Sequence, residues 1–265
     1  MKWTVLLTLA CLQATAQADY VIFQSGNFKG LKNSSGQEII PPVYDDLGWT
    51  NGSRLPINQW IGYQEGEKWG LLSLEGKQVI PASYDKLEAL LPGIFKVAIR
   101  GKFTNRYFYG LVNEKGKLLL NLDYFDIELR SAALVVTTYE NNVFREGAFA
   151  HSLVKIAEPK YEKIDVENNV LMARLPSGYL DILNVTGKVL ESKVEEVTIL
   201  KDQIITRKAG KVGLITKAGE AIHAPVHKAV DANGAVRPFP LWTVQQSARS
   251  FDIRCDSLQA VGTDV

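Results

Sequence analysis

The chain has 265 residues, 46% hydrophobic and 22% charged, a mixture that excludes intrinsic disorder and supplies enough apolar material for a sizeable core. Its 30 basic and 29 acidic residues leave a formal charge of +1 at pH 7, so no global field gathers nucleic acid or holds an anionic membrane surface. No later stretch reaches the eighteen or so uninterrupted apolar residues of a membrane span, so none is expected.

The first 18 residues read as an export signal. Lys2 gives a short positive region, Thr4 to Leu12 are almost wholly apolar, and Ala16-Gln17-Ala18 places small residues where a signal peptidase cuts, just before Asp19. The mature chain is therefore expected to begin at Asp19, in the periplasm or outside the cell. Cys11 lies too early to have a full hydrophobic region before it, which argues against a lipidated cysteine. Cys255 is then the only mature thiol, and one cysteine closes no bridge within a chain.

A repeat follows. Phe28-Lys29-Gly30-Leu31 runs on to Gly36, Ile39-Ile40-Pro41 and Tyr44-Asp45. Forty positions later Lys68-Trp69-Gly70-Leu71 leads to Gly76, Val79-Ile80-Pro81 and Tyr84-Asp85. After forty more, Phe108-Tyr109-Gly110-Leu111 leads to Gly116, Leu118-Leu119-Leu120 and Tyr124, with Asn121 in place of proline and the aspartate one position on, at Asp126. Beyond Tyr124 the pattern decays. Pro159-Lys160-Tyr161 keeps a tail; Gly187 follows Asp181, which stands where a glycine should; Gly213 and Gly219 restore both glycines. About six units fit between Tyr20 and Val230 in an array over 19–232, leaving 233–265 as an end cap or an incomplete further repeat.

These residues resemble the WG-repeat proteins of bacteria, whose unit reads as a Trp-Gly pair, a turn glycine, an Ile-Pro pair and a Tyr-Asp pair; the stretch from Lys68 to Leu87 matches best, and only Trp69 keeps the tryptophan. The resemblance implies extracellular or envelope-associated β repeats with no shared catalytic residues.

The physics of the unit points the same way. Trp69, Leu71 and Leu72 face Val79 and Ile80 across Leu74-Glu75-Gly76-Lys77, a turn whose glycine takes positive φ, which makes a hairpin. The Glu65-Gly66-Glu67 turn adds an earlier strand, giving a short meander. Gly70, inside a strand, marks a bulge or the close approach of another backbone or ring. Pro81 donates to no ladder and belongs at a strand end or a sheet edge, after which Tyr84-Asp85 begins the crossing to the next unit. The tyrosines Tyr44, Tyr84 and Tyr124 serve as half-buried anchors or, alternatively, as a row of exposed rings for a carbohydrate or peptide. The fold class is thus all-β: tandem hairpin or meander repeats of 32 to 40 residues in an open solenoid-like array, with a β-propeller as the alternative. The fall in spacing from forty to thirty-two between Asp181 and Gly213 favours the open array.

No catalytic, cofactor or metal site is expected. The chain lacks the GxSxG, HExxH, Walker and GxGxxG motifs. His223, His227 and Asp231 share a ligand-like spacing, but in the repeat register both histidines fall at structural positions, those of Ile80 and Tyr84. Two readings follow: a noncatalytic protein binding a protein or glycan partner at the envelope, or a glycan-active hydrolase whose carboxylates converge only in the fold.

Overall fold

The computed structural model describes residues 20–226 and three further strands at 242–246, 249–253 and 260–263. His227, Asp231 and Cys255, and the signal segment 1–18, lie outside the described residues. Among the described residues there is no helix, and hence none able to cross a membrane. The strands among the described residues form seven open antiparallel sheets.

Sheet 1 holds β1 (Tyr20–Ser25), β2 (Phe28–Asn33) and β3 (Glu38–Tyr44). Sheet 2 holds β4 (Asp46–Leu47), β5 (Trp60–Glu65), β6 (Lys68–Ser73) and β7 (Gln78–Tyr84); sheet 3 holds β8 (Lys86–Leu91), β9 (Ile94–Arg100), β10 (Tyr107–Asn113) and β11 (Leu118–Tyr124). Sheet 4 comprises β12 (Asp126–Arg130), β13 (Ala133–Glu140), β14 (Val143–Ala150) and β15 (Lys155–Tyr161). Sheet 5 comprises β16 (Lys163–Glu167), β17 (Val170–Arg174), β18 (Leu180–Asn184) and β19 (Val189–Val194). Sheet 6 has β20 (Glu196–Ile199), β21 (Gln203–Lys208), β22 (Lys211–Thr216) and β23 (Ala221–Val226); sheet 7 has β24 (Trp242–Gln246), β25 (Arg249–Ile253) and β26 (Ala260–Thr263). In each sheet every strand pairs with the next in sequence, so the repeating unit is a meander. The unit has one strand more than the sequence pattern offers: after Tyr84-Asp85 the chain crosses to the next sheet, as expected, and there forms an added first strand, β8, paired with β9. Four-stranded units of this kind are also those from which the alternative, a β-propeller, is built.

The described residues up to Glu88 form one compact unit and those from Ala89 a second, the division falling inside β8. In the first, Leu31 and Ile40 of sheet 1 pack with Leu47, Ile61, Tyr63 and Leu72 of sheet 2, all fully buried. In the second, the alternation of side chains along a strand divides each sheet between two cores. Leu134 and Val136 of β13 join Leu111 of sheet 3, while Ala133 and Val135 of the same strand join Ile164, Leu171 and Leu183 on the side of sheet 5. Sheet 5 does likewise: Val170, Leu180 and Ile182 turn to Ile204 and Ile215 of sheet 6. Burial on both faces is why the inner strands read as near-continuous apolar runs, without the alternation of a half-solvated sheet.

Candidate functional site

The repeat glycines of the strands sit opposite a bulge. Between the pairs Lys29↔Tyr44 and Leu31↔Ile40, residues 41–43 oppose Gly30 alone; residues 81–83 oppose Gly70, and 121–123 oppose Gly110. The bulge turns a carbonyl onto the glycine. A Cβ on Gly70 would lie 2.5 Å from Ile80 O and 2.5 Å from the Tyr63 ring; on Gly30 it would lie 2.7 Å from Ile40 O and 2.7 Å from the Phe23 ring, and on Gly110 2.7 Å from Leu120 O. Phe23 and Tyr63 are the cross-strand partners of Gly30 and Gly70, so each ring covers the surface that the glycine leaves bare. The Tyr63 hydroxyl also accepts from Ala82 N at 3.0 Å, tying the ring to the bulge. Gly213 is buried, pairs with Thr206 and faces the bulge at 224–225. Trp69 is buried beside Gly70, and Pro81 is exposed within the bulge on the edge strand β7.

The second glycines, Gly36, Gly76, Gly116 and Gly219, occupy turns at positive φ, for example +77° at Gly76. Each donates its N–H to the carbonyl three residues earlier, of Asn33, Ser73, Asn113 and Thr216. Those four side chains accept the amides two or four residues on, as Asn113 Oδ1 does from Lys115 N at 3.0 Å and Lys117 N at 2.9 Å. This polar residue three before the glycine escapes the sequence reading, although Asn33, Ser73 and Asn113 stand forty apart.

Tyr44, Tyr84 and Tyr124 are half-buried. Tyr44 packs on Tyr63 with centroids 4.8 Å apart, and Tyr124 meets Phe149 edge-on at 6.4 Å. Burial pushes the phenols of Tyr84 and Tyr124 above their ordinary pKa. The acids after them hold neighbouring elements. Asp45 Oδ2 accepts from Gly66 N at 2.7 Å in the β5–β6 turn. Asp46 Oδ1 accepts from Leu47 N, Lys29 Nζ and Arg54 Nη1; against the upward push of burial, these bonds hold its carboxyl below the usual range. Lys68 pairs with Asp85 at 2.7 Å and Lys96 with Asp126 at 2.6 Å. The recurring carboxylates thus serve as caps and ion pairs between strands.

In sheet 5 the bulge has two residues, 192–193, and Asp181 fills the glycine's place. Asp181 Oδ2 accepts from the hydroxyl of Tyr161, which the fourth unit carries where Tyr44 stands in the first. In sheet 4 the strand glycine is Gly147, and Leu153, at φ +64°, replaces the turn glycine.

One surface feature stands outside the repeat. Phe125, Tyr139 and Phe144 form a ring cluster: Tyr139 and Phe144 are 4.5 Å apart, Phe125 and Phe144 4.9 Å, Phe125 and Tyr139 6.0 Å. Phe125 and Phe144 are 36% and 47% exposed. The Arg106 guanidinium lies 4.1 Å over the Tyr139 ring, and Phe103 of the same 101–106 loop is 97% exposed. Among the described residues no three His, Cys, Asp or Glu side chains gather as metal ligands.

Residues 30–68 match the model of the WG containing repeat. No curated protein matches the chain. Solved structures similar to it include BamB from Moraxella catarrhalis, at 11% identity over 90% of this chain and 79% of that one, with a TM-score of 0.31. Others are apo AztD from Citrobacter koseri, at 11% identity over 92% and 78% with a TM-score of 0.28, and oligopeptidase B from Leishmania major, at 10% identity over 94% and 48% with a TM-score of 0.36.

Proposed function

We propose that the chain is exported and serves as a noncatalytic binding or scaffold protein at the cell envelope or outside the cell. The observation that carries this reading is the exposed ring cluster of Phe125, Tyr139 and Phe144. Exposed aromatic side chains that touch one another mark interaction surfaces, because water gains by their burial and their rings lose little conformational freedom on binding. Among the described residues the recurring acids hold strand ends and turns, and Tyr44 and Tyr124 pack one sheet against the next. The export signal read at 1–18 is consistent with a partner in the envelope.

The test is retrieval of partners from the organism's own envelope extract by the mature chain, beside a Phe125→Ser, Phe144→Ser variant of unchanged melting temperature. Partners retained by the parent and lost by the variant are expected. An extract from which the folded parent retains nothing beyond an unrelated β protein removes the binding role.

A further inference from the structure

The tip of the β13–β14 hairpin extends beyond its own sheet. Pairing with β12 ends at Asp126↔Thr137 and pairing with β15 at Glu146↔Tyr161, so residues 138–145 pair only with one another, through Thr138↔Arg145, Tyr139↔Phe144 and Glu140↔Val143. A two-stranded ribbon with both edges open presents main-chain donors and acceptors to an added strand. Such a ribbon is marginal by itself. Here the ring cluster, built from one face of the hairpin and Phe125 at its foot, gives it support.

The geometry of the rings discriminates between ligands. A sugar stacks flat on an open aromatic face, whereas these rings lean on each other at interplanar angles of 40° to 68° and Arg106 lies over a face of Tyr139. They offer apolar edges beside a guanidinium, the composition found at the centres of protein interfaces. The surroundings are positive on balance: Arg100, Lys102, Arg106 and Arg145 stand in the loop and hairpin, against Glu140 on the hairpin and Asp123 near Phe125, while Asp126 and Glu146 are neutralised by their ion pairs with Lys96 and Arg130. That charge fits an acidic occupant.

We propose that this hairpin docks an extended, acidic polypeptide segment of a partner protein, which adds along the open edge and sets an apolar side chain against Phe125, Tyr139 and Phe144. The proposal rests on the binding role given above and names the chemistry of the partner at that surface.

The experiment selects a displayed library of short random peptides on the full chain and measures the recovered sequences as synthetic peptides by fluorescence anisotropy. Recovered peptides should combine Asp or Glu with large apolar residues. Phe144→Ser and Arg106→Glu should each weaken them about tenfold or more, as the loss of a central interface residue does. Arg106→Glu should also gain affinity for the same peptides with lysine in place of their acids, a reversal that altered folding does not produce. Recovered peptides without acidic enrichment, or bound equally by Arg106→Glu, overturn the proposal. So does polygalacturonate binding at this surface where peptides fail, which would assign an acidic glycan. Envelope partners retained equally by parent and Arg106→Glu remove this docking site and leave the binding role standing, whereas a parent that retains none removes both.

Discussion

Tyr161 donates its hydroxyl to Asp181 Oδ2 at 3.0 Å, and both residues are buried. The bond joins the last strand of sheet 4 to the third strand of sheet 5, at the position other units give to glycine. Asp181→Ala leaves the hydroxyl buried without its acceptor and should cost about 1 to 3 kcal/mol. Asp181→Asn keeps an acceptor and should cost less. Urea unfolding of the two variants checks this; equal stability of parent and Asp181→Ala would show that the bond contributes nothing.

Alkaline stability follows from the same group. Burial first, then the charge of Asp181 and the hydrogen bond to it, raise the Tyr161 phenol above its ordinary value of 10.0. A pKa raised on folding contributes stability that is complete below the unfolded value and is lost as pH rises through the folded one. Stability should therefore decline from about pH 10 upward, helped by Tyr63, Tyr84 and Tyr124, whose phenols burial also raises. Tyr161→Phe should flatten part of that decline in denaturant midpoints measured between pH 8 and pH 11; an identical slope in parent and variant would remove Tyr161 from the account.

Gly70→Val should destabilise by roughly 1 to 3 kcal/mol, the range of overpacking changes, because even its Cβ would meet Ile80 O and the Tyr63 ring at 2.5 Å. Tyr63→Ala beside it separates the two contacts: relief of part of the loss points to the ring, and no relief to the carbonyl. An unchanged melting curve for Gly70→Val would contradict the close approach.

Mass spectrometry of the exported protein should find Asp19 at the amino terminus. Retention of Met1 to Ala18 in exported material, or a lipid on Cys11, would overturn the export reading.

The hairpins and their glycines were legible because Gly30, Gly70 and Gly110 are forced by a backbone contact that recurs in step. The fourth unit was not: Leu153 takes positive φ where a glycine is expected, and packs against the core of sheets 3 and 4. First strands as short as Asp46–Leu47 carry no periodicity to detect. The ring cluster escaped for a different reason. Tyr139 and Phe144 read as ordinary β-favouring residues, and their exposure depends on β12 and β15 ending short of them, a tertiary fact with no local signal.

The bulge opposite the glycine also bears on how the protein behaves in a crowded compartment. The last strand of sheets 1, 2 and 4 is an edge, and an edge invites polymerisation. Pro41 and Pro42 in β3, Pro81 in β7 and Pro159 in β15 withhold donors there, and the irregular residues around them match no straight incoming strand. The feature that favours glycine on one side thus guards the other against amyloid-like growth.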